Sequence, residues 1–434
     1  MKKVFSLFTL FILFSTINIF PQVRGVDIDE CINIALQNHP DLFLSIEDNK
    51  KSVADYRIAK SLKSIIINGE VRTIENGANA PGLFGGLVAS YNLYDAKNDY
   101  VEEIAITNID ISKLKSQKTK NEVLLEVKNA YYGYLLSKNT LKIRETINEK
   151  YKKKSDLAKQ LFEQGSRPIL DVSKAEVDMA DSQLQYEKAK NDERKTKLNL
   201  FRSMGLEEGE ASLINPKDIE TIPVIKCTLD ELYRMAEIYS PLIRIITLEK
   251  RSAILKISEE SAAHFPRVDL SLGFGYANPE LSAFSNASDN LNTDKWNPSF
   301  LGAFKATLPI FSGGQISARV DSAVSDYNKI SYKEKELLID TKNQIRDSYK
   351  SLEEIKKQME ISNLITKNAQ RHLLLAQRSY ENGGGSLLEL QDAELSVIRA
   401  EIGFLESKYS YLLTLAKLTS IIGIGESSIC KNQE

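Results

Sequence analysis

The chain has 434 residues, of which 42% are hydrophobic and 27% charged, with a formal net charge of −2. That balance excludes nucleic-acid binding through a basic field. Beyond the N-terminus no stretch stays apolar for the length a spanning helix needs, which excludes a helical membrane protein.

The N-terminus stands apart from the rest. Lys2 and Lys3 precede an uncharged, largely apolar run, residues 4–20. A positive n-region followed by an apolar h-region reads as a secretory signal, so residues 1–24 are expected to be a signal peptide, cleaved between Pro21 and Gly25. No cysteine follows the h-region directly, and Cys31 is too far downstream for lipid attachment. The expectation is an exported protein that is not a lipoprotein. The three cysteines, Cys31, Cys227 and Cys430, are too few for a disulfide framework. A Cys31–Cys227 bridge stays open, because both residues lie at the start of equivalent helices. His39, His264 and His372 occur in unrelated contexts, and nothing has metal-ligand spacing. With no nucleophile–base pair and no phosphate loop, neither a metal, a cofactor nor an enzymatic activity is expected.

The chain is an internal repeat. Asp29, Glu30, Ala35 and Pro40 recur 201 positions on as Asp230, Glu231, Ala236 and Pro241. The stretch Phe162, Glu163, Gln164, Gly165 recurs 218 positions on as Tyr380, Glu381, Asn382, Gly383, and Leu170–Asp171 recurs as Leu388–Glu389 at the same offset. The two units are residues 25–225 and 226–426, followed by a tail, 427–434. Each opens on a moderate helix, near Ile28 and at Thr228, where Thr228 and Glu231 have capping-box spacing. Pro40 and Pro241 interrupt or restart these helices.

A β-hairpin follows in each unit, about 63–95 and about 266–311. Ile65, Ile67, Gly69, Val71 and Thr73 form one face of the first strand, with Asn68, Glu70 and Arg72 on the other. Leu270, Leu272, Phe274 and Tyr276 alternate with Asp269, Ser271, Gly273 and Gly275; Phe300, Phe304 and Leu308 oppose Lys305 and Thr307. Period two means strands. Bulky apolar residues on one side and Gly, Ser and charge on the other fit an outer-membrane barrel wall, and about ten residues suffice for a tilted strand to cross a bilayer. A soluble hairpin half-buried on a core fits the periodicity equally. Export, and the lack of another sheet to pack on, favour the barrel. The second hairpin loop, with the only Trp, Trp296, carries a 16-residue insertion and reads as exposed.

Then come long helices, 97–164 and 315–382, the second free of Pro and Gly. At 1.5 Å per residue such a helix is about 100 Å long, and it needs partners along its length. Gly-containing turns lead into return helices, 168–204 and 386–422, closed by Gly205 and Gly423. The expected fold is therefore mainly α with a small β part, four strands per chain. Four strands cannot close a barrel, and open edges are not tolerated in lipid. Two copies would supply eight strands and three would supply twelve.

At this point the sequence resembles the TolC family of outer-membrane efflux and secretion channels. The carrying residues are Leu308, Pro309, Ile310, Phe311, Ser312, Gly313 and Gly314 at the barrel–helix junction, and the two turns around Gly165 and Gly383 with Leu170–Asp171 and Leu388–Glu389 behind them. The resemblance implies a homotrimer with a twelve-stranded barrel in outer-membrane lipid, continued by a periplasmic α-helical coiled-coil barrel. It also implies a periplasmic adaptor and an inner-membrane pump of RND or ABC type. By the same resemblance Gly165, Ser166, Arg167 and Asp171, with Gly383, Gly384 and Gly385, would form the adaptor-facing tip, and Glu389 and Asp392 would constrict the pore. Pro309, Phe311, Gly313 and Gly314 would mark the junction. The sequence departs from the family where a tip Arg is expected in the second turn: Gly385 stands there, while Arg167 occupies the equivalent place in the first. Acids early in a helix are also favourable in their own right, so Glu389 and Asp392 carry two readings. The expected function is a passive exit duct for small molecules, gated at the tip. Type I secretion of a protein or peptide, and a structural periplasmic coiled-coil rod, are the alternatives.

Overall fold

A computed structural model describes residues 24–76, 80–207, 214–219, 222–223, 225, 227–278, 296–382, 384 and 386–425. All of the expected signal peptide but Arg24, the 427–434 tail, most of the second hairpin loop, and Gly383 and Gly385 lie outside them. The residues gather into two compact units, 1–38 with 127–222 and 39–126 with 223–434, which cut across the two sequence repeats.

The smaller unit begins with β1 (Arg24–Val26) and α1 (Ile28–Asn38). It takes the second part of α3 (Ala96–Glu163), then α4 (Ile169–Ser203) and β4 (Ile214–Pro216). β1 and β4 pair in parallel, a contact absent from the sequence reading. The hydroxyl of buried Tyr131 holds this pair to α3, donating to Lys217 O at 2.7 Å and Val26 O at 3.4 Å. Lys138 reinforces it through Asn215 Oδ1 at 2.7 Å and Pro216 O at 3.0 Å. α4 returns antiparallel to α3: Ser182 meets Asn148 at 3.1 Å, and Lys159 meets Glu176 at 3.0 Å. Ala175, Ser182 and Ala189 on α4 are buried at seven-residue intervals. That interval is the coiled-coil period, and small residues in it let helices approach closely.

Cys31 is a free, fully buried thiol. Burial, then the charges of Asp27 and Glu30, push its pKa up to about 12. Cys227 is disulfide-bonded, so the Cys31–Cys227 bridge left open by the sequence does not form.

In the larger unit α2 (Pro40–Ser61) and α6 (Pro241–Ser261) both start at proline. Both prolines restart a helix, because a first-turn N–H has no intrahelical partner to lose. α5 (Leu229–Tyr239) opens with a complete capping box: Thr228 N donates to Glu231 Oε2 at 2.8 Å, and Glu231 N to Thr228 Oγ1 at 3.4 Å. After a 3₁₀ turn at Ala262–His264 the chain enters the second hairpin. β2 (Ile66–Asn76), β3 (Ala80–Asp95), β5 (Arg267–Asn278) and β6 (Asn297–Thr307) form one sheet in the order β2-β3-β5-β6. All three pairings are antiparallel, and β2 and β6 are its edges.

α7 (Gln315–Glu381) and α8 (Leu387–Ile422) complete the unit. The 67 residues of α7 make a helix about 100 Å long. α8 packs back along it, with Thr366 Oγ1 donating to Ala400 O at 3.1 Å and Gln370 to Glu401 at 3.1 Å. Ala393 and Ala400 are buried seven apart, 218 positions after Ala175 and Ser182. The chain is thus mainly helical with one four-stranded antiparallel sheet, and among the described residues no helix is long and apolar enough to cross a membrane.

Candidate functional site

The sheet separates its two faces as strand periodicity requires. On one face Ile67, Val71, Leu87, Leu272, Phe274, Phe300 and Phe304 are exposed, Phe300 by 70% and Phe304 by 68%. Register brings them together: Leu87 lies opposite Phe274, which lies opposite Phe300, and Leu270 lies opposite Phe304. Exposed apolar side chains gathered on one contiguous face in this way mark an interaction surface.

The other face is not uniformly polar, contrary to the sequence expectation of Gly, Ser and charge. Phe84, Val88 and Ala277 form a buried cluster there with Leu301 against it, and Arg72 lies 5.7 Å over the Phe84 ring. Gly86, Gly273 and Gly275 leave room for it: a Cβ on Gly86 would meet the Phe84 ring edge at 2.8 Å. Alternation along β3 does reveal Val88 beside Ser90, but nothing in it reveals that Phe84 would be wrapped by glycines.

Towards the helices this face becomes polar. Arg267 binds Asp269 at 2.9 Å and reaches Asp95 at 3.9 Å. Asn92 Nδ2 donates to Asp269 Oδ1 at 2.8 Å, and Asn98 Nδ2 to Asn92 Oδ1 at 3.1 Å. Leu62, Ser64, Ile66, Ser90 and Tyr91 line a cavity of about 170 Å³ beside this network. Below it, buried Glu259 is gripped by Lys256 at 2.8 Å and Lys97 at 3.0 Å, and Glu260 by Lys256 at 2.9 Å. Lys63 bridges Asp99 and Glu102, at 2.6 Å to each. The carboxylates of buried Glu259 and partly buried Glu260 thus each have a cation, which compensates their loss of hydration.

The junction residues follow β6. Pro309 lacks the N–H that the ladder would need next, and Ile310 and Phe311 project with 95% and 91% exposure. Gly313 and Gly314 both take left-handed backbone, at φ 59° and 80°, before α7 begins. This double left-handed step requires glycine.

In the smaller unit Gly165, at φ 70°, ends α3 with a Schellman motif. Gly165 N donates to Phe162 O at 2.8 Å and Ser166 N to Leu161 O at 2.9 Å. Arg167 and Asp171 pair at 3.7 Å, both partly exposed. In the larger unit Gly384 N donates to Ser379 O at 2.9 Å, the same bond 218 positions on. Ser386 then caps α8, accepting from Glu389 N at 3.1 Å. This cap, which the sequence reading missed, is signalled by Ser three residues before Glu. It places Glu389 in the first turn, where an acid stabilises the helix N-terminus. Asp392 is exposed one turn further on, beyond the reach of that effect. Gln391 and Ala393 beside it are buried. Glu389 and Asp392, three apart, share one helix face. Among the described residues no cluster could hold a metal ion.

Comparison with known proteins agrees with this architecture. The chain is 21% identical over 406 residues to the cation efflux system protein CusC of Escherichia coli K12, covering 91% of this chain and 86% of that one. It is 21% identical over 333 residues to the alkaline protease secretion protein AprF of Pseudomonas aeruginosa, covering 76% of this chain and 67% of that one. The fold superposes on the CmeC outer membrane channel of Campylobacter jejuni with a TM-score of 0.79 at 16% identity, covering 91% of this chain and 85% of that one. The family model for outer membrane efflux proteins matches residues 75–206 and 232–424. The chain belongs to the outer membrane efflux protein family.

Proposed function

We propose that the protein is the outer-membrane exit duct of a tripartite efflux assembly, a passive conduit for small molecules across the periplasm and outer membrane. The observation that carries this is a sheet with an exposed apolar face and two unpaired edges, β2 and β6. In lipid every backbone polar group needs a partner, so copies of the chain must close the ring edge to edge. Three copies give twelve strands, within the range of bacterial barrels. The long helices then continue the duct on the periplasmic side. The chain performs no chemistry, and energy comes from an inner-membrane pump of RND or ABC type. Residues 1–24 direct export and are removed.

The turn residues Gly165, Ser166, Arg167 and Asp171, and in the second repeat Gly383, Gly384 and Gly385, meet the periplasmic adaptor. Glu389 and Asp392 form rings of three carboxylates in the trimer, which favour cations over anions. Asp392 carries this reading better than Glu389, whose place at the helix start has its own rationale. A second reading, export of a protein rather than small molecules, is supported by the similarity to AprF, a protease secretion protein.

Fractionation tests the proposal against the structural rod. The duct predicts trimers in the outer-membrane fraction that shift in gel mobility on heating. Monomeric, soluble periplasmic protein would contradict it.

A further inference from the structure

The apolar side chains that flank the two sheet edges are unpartnered within one chain. After β6, Leu308, Ile310 and Phe311 are exposed by 57%, 95% and 91%. Before β2, Ile58, Leu62 and Ile65 are exposed by 65%, 41% and 64%. Ile310 and Phe311 are the most exposed of the large apolar side chains among the described residues, and the six apolar residues at these two places call for a common explanation. The strand face is not that explanation, because these residues lie outside the strands: Leu308, Ile310 and Phe311 follow β6, Leu62 and Ile65 lie between α2 and β2, and Ile58 is in the last turn of α2.

Topology relates the two places. The sheet makes three successive antiparallel pairings, so β2 and β6 run in opposite directions. The end of β6 and the start of β2 therefore lie at the same end of the sheet. A second copy that pairs its β6 antiparallel to this β2 brings its residues 308–311 alongside residues 58–65 of this chain. Pro309 ends the ladder there, since it has no N–H to donate. The paired left-handed glycines, Gly313 and Gly314, then turn the chain into α7, leaving the intervening residues free to pack sideways.

We infer that Leu308, Ile310 and Phe311 of one copy seat against Ile58, Leu62 and Ile65 of the next, an apolar collar at the strand-to-helix junction that sets the register of ring closure. The contact is heterologous: each copy gives one patch and receives the other, so it repeats around a closed ring. The β-ladder alone specifies register weakly, because backbone hydrogen bonds repeat every two residues. A fixed apolar seat at one end removes that ambiguity. The inference rests on the outer-membrane duct reading and adds which side chains join the copies.

The test is disulfide trapping in isolated outer membranes, with cysteine placed at Phe311 and Ile65 of the same chain. Oxidation of the double variant is expected to yield covalent dimers and trimers on denaturing gels, absent from wild type and from either single-cysteine variant. Phe311→Ser in an otherwise native chain is expected to lower the temperature at which the trimer dissociates in detergent. If the double variant forms heat-modifiable trimers that do not cross-link, and Phe311→Ser trimers dissociate as wild type, the collar is refuted while the duct stands; Ile310 and Phe311 then face lipid headgroups. If no trimer forms in wild-type membranes, the duct reading and the collar fall together.

Discussion

Gly86 and Gly275 face each other across β3 and β5 so closely that a Cβ on Gly86 would lie 2.6 Å from the Cα of Gly275. A methyl group at either position would also collide with the carbonyl of the facing strand, at 2.5 Å from Phe274 O in the case of Gly86. Backbone cannot yield as a flexible side chain can, so the strands would have to part. Gly86→Ala is expected to cost about 3 kcal/mol, the upper range for overpacking. Gly69→Ala, where nothing lies within 4 Å of the added carbon, should stay within about 0.5 kcal/mol of wild type. Urea unfolding of detergent-solubilised protein measures both, and equal midpoints for the two variants would refute the close approach.

Two helix-ending glycines separate backbone strain from crowding. Gly165 and Gly423 both have positive φ, at 70° and 86°. A Cβ on Gly165 meets nothing within 4 Å, whereas one on Gly423 would meet Tyr239 O at 2.7 Å and Pro241 Cδ at 2.8 Å. Gly165→Ala should cost about 1–2 kcal/mol, the penalty of left-handed backbone alone. Gly423→Ala adds the collision, about 1–3 kcal/mol more. Thermal unfolding of the two variants checks the order.

Glu260 should make the larger unit acid-sensitive. Its hydrogen bond with Lys256, helped by the charges of Lys256, Lys97 and Arg319 and opposed by burial, holds its carboxyl below the usual carboxylate range. A depressed folded-state pKa contributes stability that is present above the ordinary glutamate value and is lost as pH falls through the depressed one. Glu260→Gln should therefore melt below wild type at pH 7, and the gap should close on acidification past the carboxylate range. A gap that persists unchanged at pH 3 would show that the ion pair contributes no pH-linked stability.

Helical periodicity and bracketing glycines made the long helices legible. The residues 315–382 expected to be helical compare with an observed Gln315–Glu381, because a run without Pro or Gly leaves no other place to stop. The strands were legible from period two, down to which of Phe274 and Gly275 faces outward. The Phe84 cluster was not, since alternation counts residues and does not reveal how closely glycines let a neighbouring strand and ring approach. The β1–β4 pairing was hidden for a similar reason. Two three-residue segments carry no periodic signal, and the bond that holds them comes from Tyr131, more than a hundred positions from Val26. At the site, Glu389 and Asp392 looked equivalent in sequence; only the Ser386 cap separates a helix-start acid from one without a structural reason.

In the proposed duct three copies would enclose a pore narrowed by Glu389 and Asp392. Single-channel recording in planar bilayers, with purified trimer of wild type and of Glu389→Ala/Asp392→Ala, tests it most directly. Discrete, cation-preferring openings are expected in wild type, and a larger conductance with diminished cation preference in the double variant, Asp392→Ala alone giving most of the change. Openings whose size and selectivity are untouched by the double substitution would contradict the assigned constriction, and folded trimers that never conduct in either form would contradict the duct itself.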